Sequence, residues 1–241
     1  IYIDLSNYYL TDGTDIGNEE FYYQLPSGTD YWSGSSSDFI CRFPSGYTIS
    51  AGSFIIVSLR DSSKYASEFG ENADLTLNDD MLDAVDGENT KGSSAAPKLG
   101  NANETLIIFY WDGSSTTVKD VDYLLWGDNS YAIDKTGIDG YQSDTPAASQ
   151  AFLPIHNTDE KLVRISEEGN EIQSGGNGIT GHDETSEPFN ETWGVYALVS
   201  SKPEISAVTV SPESPTTEDI LTFTATVTDD EGLTSVQLIT I

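Results

Sequence analysis

Cysteine occurs once in this chain of 241 residues, as Cys41, so no intrachain disulfide can staple the fold. Its neighbours Phe39, Ile40 and Phe43 set it in a strand pattern, where it reads as a small buried apolar residue. Histidine occurs only twice, at His156 and His182, which with one thiol leaves too few ligands for a zinc centre. Positive charge is scarce as well: Lys and Arg number 10 against 40 Asp and Glu, a formal net charge of −30. Such a chain repels phosphate backbones and anionic lipid surfaces, which argues against nucleic acid as a partner. No apolar run approaches the ~20 residues of a membrane-spanning helix, so no membrane insertion is expected. The chain opens in mid-pattern at Ile1-Tyr2-Ile3, with no basic segment leading into an apolar one. The acid excess suits a salty or calcium-containing exterior, and an extracellular or cell-surface location is the expectation.

Helical signals are nearly missing, and what is there instead is Tyr, Thr, Ser, Ile and Val in short runs punctuated by Gly, Asn and Asp. The expected class is all-β, an antiparallel β-sandwich with long loop insertions. Strands are predicted at residues 1–5, 8–11, 20–25, 38–43, 53–59, 105–110, 120–126 and 162–165. Continuous apolar stretches at 54–57 and 106–111 read as central strands. Trp111-Asp112-Gly113-Ser114 carries the Asp-Gly signal of a tight hairpin. Insertions at 61–103 and 127–155 are longer than a plain sandwich connection, and 62–69 within the first has room for one short helix.

Residues 200–203 read as a linker between a first domain, 1–199, and a second, 204–241. The second holds three alternating strands, the opening of another β-sandwich. An immunoglobulin-type sandwich needs about seven strands, so the expectation is a piece of a longer multidomain protein.

Several segments resemble one family in the order in which they occur. Asp4-Leu5-Ser6 with Tyr9-Leu10-Thr11-Asp12 resembles the D-L-S-G-W-Y-L-T-D segment of lamin-tail domains, with Asn7-Tyr8 in place of Gly-Trp. Phe43-Pro44-Ser45-Gly46 and Ala51-Gly52-Ser53-Phe54-Ile55-Ile56-Val57 resemble that family's hairpin. Gly100-Asn101-Ala102-Asn103-Glu104-Thr105-Leu106, followed by Val121-Asp122-Tyr123 and Trp126-Gly127, is similar to its later strands. The run from Gly176 to Glu187, with Glu191-Thr192-Trp193, resembles the closing segment of bacterial secreted members, and 203–241 is similar to bacterial immunoglobulin-like repeats. The family's first strands do not precede Ile1, a departure from its pattern. The resemblance implies an immunoglobulin-like antiparallel β-sandwich used for attachment or interaction, sometimes beside a hydrolase on one chain. No coiled-coil heptads or basic patch accompany it, so a nucleoskeletal role does not transfer.

Candidate sites are few. Calcium takes carboxylate oxygens from loops, and three acidic groups have the ligand type without the EF-hand spacing. They are Asp12 with Asp15 and Asn18; Asp79, Asp80, Asp83 and Asp86; and Asp134, Asp139 and Asp144. Tyr31 and Trp32, adjacent in a polar loop, are the aromatics expected to be exposed and able to stack on a sugar, while Trp111, Trp126 and Trp193 are expected in the core. A hydrolase built on His182 and Asp183 lacks any nucleophile signature. The reading is therefore a non-catalytic structural or adhesive module of a larger secreted or surface protein. Its partners are other copies or neighbouring domains, engaged by strand exchange at open sheet edges. The alternative is a carbohydrate-binding or substrate-docking accessory domain of a secreted hydrolase.

Overall fold

The computed structural model describes residues 2–34, 37–92, 98–166, 170–198 and 204–228. The strands in chain order are β1 (Tyr2–Asp4), β2 (Tyr8–Thr11), β3 (Thr14–Asp15), β4 (Glu20–Phe21), β5 (Ile40–Arg42), β6 (Thr48–Ser50) and β7 (Val57–Ser58). They continue with β8 (Leu75–Thr76), β9 (Leu82–Asp83), β10 (Glu104–Tyr110), β11 (Lys119–Trp126), β12 (Glu160–Arg164), β13 (Trp193–Ala197), β14 (Glu204–Ser211) and β15 (Thr222–Thr228). Among the described residues two short α-helices, α1 (Ser62–Phe69) and α2 (Phe189–Thr192), and several 3₁₀ turns interrupt them. The chain is all-β. It divides into two compact units, residues 1–158 with 162–195 and residues 159–161 with 196–241.

The first unit is organised on a five-stranded antiparallel sheet in the order β11-β10-β2-β5-β9. Side chains alternate across it, and each face carries a core. Tyr9, Ile40, Ile107, Phe109, Tyr123 and Leu125 point to one face, where they meet Tyr22, Tyr23, Leu25, Ile133, Leu153 and Phe189. Leu10 and Cys41 belong to the other, with Phe39, Phe43, Leu75, Leu77 and Met81. Because both faces are covered, β10 reads Glu-Thr-Leu-Ile-Ile-Phe-Tyr without a solvent-facing stripe. Tyr9 stacks on Phe109 at 4.8 Å between ring centres. Cys41 is a free, fully buried thiol whose pKa burial drives up.

Three expectations need correction. The apolar run at 54–57 is not a central strand: Phe54 is 82 % exposed, and only Val57–Ser58 pairs, in parallel with β8. The chain leaves β6 through the Ala51-Gly52 turn, and the Ile56 N–H goes to the Asp74 carboxylate at 2.7 Å rather than to a sheet neighbour. The strand expected at 20–25 stops at Phe21, where Gln24 Oε1 accepts the Phe21 N–H and starts a 3₁₀ segment, Tyr22–Ser27. The Asp-Gly hairpin is not a two-residue turn either. Asp112 accepts the N–H groups of both Ser114 and Ser115, building a longer loop between β10 and β11. Those hydrogen bonds, Ser115's foremost, hold the Asp112 carboxyl well below its usual range.

The 61–103 insertion is built into the fold. It carries α1, capped by the Asp61 carboxylate on the Lys64 N–H, then β8, and then β9 as an edge strand of the main sheet. The 127–155 insertion is likewise tied down along its length. Asn129 Nδ2 donates to the carbonyls of Ala147 and Gln150, and Gln150 Nε2 donates to those of Ile133 and Thr145. In the second unit β14 and β15 form an antiparallel pair, with Ile205, Val208, Leu221 and Phe223 exposed.

Candidate functional site

Four ionisable side chains meet inside the first unit. Lys135, from the insertion after β11, is fully buried at 0 % exposure, with Asp120 of β11 at 2 % and Asp144 at 5 %. Lys135 Nζ lies 2.8 Å from Asp120 Oδ2 and 2.9 Å from Asp144 Oδ2. The Tyr22 hydroxyl donates to Asp120 Oδ1 at 2.6 Å and stands 3.3 Å from the ammonium, whose position is 5.7 Å from the Tyr22 ring centre. Asn177 Nδ2 donates to Asp144 Oδ1 at 2.6 Å. The Lys135 backbone N–H adds a 2.8 Å bond to Asp144 Oδ2.

A buried lysine survives only if its charge is matched. Burial pulls the Lys135 ammonium down, but Asp120 and Asp144 together hold it above the ordinary lysine range. One cation cannot neutralise two carboxylates, and burial pushes the Asp144 carboxyl up against the pull of Lys135. Tyr22 is raised well above a free tyrosine, by burial first and by the adjoining Asp120 carboxylate second.

A β-bulge places Asp120 there. The β10–β11 register pairs Ile108 with Asp122 and Phe109 with Asp120, skipping Val121. That extra residue turns Asp120 onto the Phe109 and Tyr123 face, which strict alternation would deny it. The open side of β11 is covered at the same point. Asp120 N–H donates to the Asn177 carbonyl at 3.1 Å, and Ile179 N–H donates to the Asp120 carbonyl at 2.7 Å. Gly176 is required beside it, because a Cβ would fall 2.1 Å from the His182 carbonyl oxygen.

The residues singled out in the sequence fall elsewhere. Tyr31 is not exposed: it is a core residue at 8 % exposure, its hydroxyl on the Glu88 carboxylate, and Trp32 is half-buried against the same core. The polar loop around them folds inward because two large rings gain more from burial than from water. Trp126 is in the core as expected, its Nε1 donating to the Gly100 carbonyl, while Trp111 and Trp193 are only partly buried.

The acidic groups are dispersed among backbone caps and ion pairs. Asp80 accepts from Thr76, Asp83 from the Thr90 N–H, and Asp86 pairs with Arg42 at 3.1 Å; Asp79 is exposed beside them. Asp134 accepts the Thr136 N–H, Asp139 is exposed, and Asp144 faces Lys135. Asp12 accepts the Phe39 N–H, and Asp15 accepts from Asn18. Among the described residues no three His, Cys, Asp or Glu side chains converge to hold a metal ion. Asp183 spends its oxygens on Thr145 and Thr185, and His182 Nδ1 lies 2.9 Å from Glu171, so the two do not form a relay.

An open cleft of about 530 Å³ lies at the ends of β2 and β10. Asp12, Asp15, Asp38 and Glu104 line it together with Lys98, Asn103 and Tyr131. Burial lifts the Glu104 carboxyl to about 7, with the backbone N–H groups of Thr105 and Gly100 pulling the other way. Asp12 is raised well above a free aspartate, again by burial. Among the described residues no helix is long and apolar enough to cross a membrane. No protein-family model, curated protein or solved structure matches the chain.

Proposed function

We propose that this chain is a non-catalytic structural or adhesive module of a larger secreted or cell-surface protein. The observation that carries the reading is the Lys135 cluster. Its ammonium, two carboxylates, phenol and amide are turned inward, where they tie the 127–155 insertion and the 176–187 segment to the sheet. None of these groups lines the open cleft beside Asp12 and Glu104, where a substrate could enter. Here they brace loops instead.

The ordered segments that resemble lamin-tail domains and the charge of −30 support the same reading. Partners are other copies or neighbouring domains, and the exposed Tyr2 and Ile3 of β1 with Phe54 offer them an apolar surface. The inward turn of Tyr31 removes the observation that favoured a sugar platform.

Single-molecule pulling of the protein between its ends tests the structural role. The wild type is expected to resist a higher force than Lys135→Met, with both variants folded at rest by circular dichroism. Equal unfolding forces would count against the reading. An antibody to the folded module should label intact producing cells; labelling only after permeabilisation would contradict the exterior location.

A further inference from the structure

We infer that Lys135 and Asp144 are placed to condense into an intramolecular amide, Lys135 Nζ to Asp144 Cγ, with Asp120 as the group that moves the protons. The inference rests on the reading of the buried cluster as an internal brace and makes that brace covalent.

The geometry supplies each part. The nucleophile and the carboxyl oxygen are 2.9 Å apart, and the Lys135 main chain holds the same oxygen at 2.8 Å, so the two groups cannot drift apart without breaking a second contact. Reacting groups fixed this way gain the advantage of an intramolecular reaction, effective molarities on the order of 10⁵ M or more. Asp120 Oδ2, 2.8 Å from Nζ, is within proton-transfer reach, and the Tyr22 hydroxyl fixes its other oxygen. Asn177 Nδ2 aims at Asp144 Oδ1 from 2.6 Å, where negative charge gathers when the carbonyl carbon becomes tetrahedral. In water an ammonium and a carboxylate stay ionised and do not condense. At 0 % and 5 % exposure both groups lose that hydration, burial favours the neutral acid at Asp144, and the proton that must leave the ammonium has a carboxylate acceptor in contact on either side.

The atoms balance without any further reactant. Asp120 takes one proton from the ammonium and hands it to Asp144 Oδ2, and the freed Nζ lone pair attacks Cγ. As the N–C bond forms, the carbonyl electron pair moves to Oδ1, held by Asn177. A second Nζ proton passes through Asp120 to Oδ2, the C–Oδ2 bond breaks, and one water leaves. One ammonium and one carboxylate have become one amide and one water, and Asp120 ends as it began.

Mass spectrometry of the purified protein decides the matter. The expected intact mass is lower than that of the sequence by one water. Trypsin should then fail to cut after Lys135 in the denatured chain, releasing residues 120–161 as one peptide with that loss, closed between Lys135 and Asp144 on fragmentation. Asp120→Asn, shown to be folded by circular dichroism, should have the full mass. A wild-type chain of full mass, cut after Lys135, would overturn the amide while leaving the brace intact. Water loss with normal cleavage there, as from a succinimide at Asp139-Gly140, would overturn it too. A ring closed on Asp120, or complete reaction in Asp120→Asn, would overturn the assigned roles.

Discussion

At the scale of single residues, several carboxyl groups sit where partial or full burial works against their charge. Glu104 shows the energetic consequence. Its folded pKa, about 7, stands above the 4.5 of a free glutamate, so the folded state holds its proton more tightly than the unfolded chain. Ionising it costs stability progressively as pH rises from about 4.5 to about 7. Glu104→Gln should therefore match the wild type at pH 4 and exceed it at pH 8, by on the order of 2 kcal/mol after allowing for partial exposure. Urea unfolding at the two pH values checks this, and an equal difference at both would contradict it.

Lys135 was not legible in the sequence. Asp134-Lys135-Thr136-Gly137 has the composition of a solvated turn, and among forty acidic residues no spacing marks Asp120 and Asp144 as its partners. The burial of Cys41, by contrast, followed from its apolar neighbours. Tyr31 and Trp32 were misplaced for the converse reason. Polar neighbours suggested exposure, but the rings themselves carried the loop into the core.

At the scale of elements, β2, β10, β11 and α1 were legible because their apolar periodicity or their cap is local. The run at 54–57 was not, since continuous apolarity cannot distinguish a central strand from a strap. The bulge at Val121 is the most consequential element that the pattern hid: alternation sets Asp120 with Asp122, whereas the register sets it opposite Phe109. Residues after β11 show how tightly the insertion is docked. Gly127 has φ +87°, and a Cβ there would fall 1.9 Å from the Ala102 carbonyl oxygen. Gly127→Ala combines left-handed strain with a backbone clash and should cost at least ~2 kcal/mol in denaturant unfolding. A variant within ~0.5 kcal/mol of the wild type would show that the insertion is free to shift away.

At the scale of the whole molecule, the charge of −30 is a standing repulsion that the fold has to overcome. Salt screens exposed charges over about 10 Å at 0.1 M while leaving buried pairs such as Lys135 with Asp120 largely unscreened. The melting temperature should therefore rise between low salt and about 0.5 M sodium chloride. A melting temperature that falls over this range would mean that surface ion pairs, not net repulsion, dominate.

The central claim is that the first unit is braced from within by Lys135, and equilibrium unfolding of Lys135→Met tests it most directly. Removing the lysine, as ammonium or as amide, leaves Asp120 and Asp144 facing each other in a dry site, a loss of about 3–5 kcal/mol at pH 7 that narrows as falling pH lets the buried Asp144 take up a proton. The predicted result is a lowered urea midpoint at pH 7 that moves back toward the wild-type value near pH 4. An unchanged midpoint at pH 7 would contradict the account.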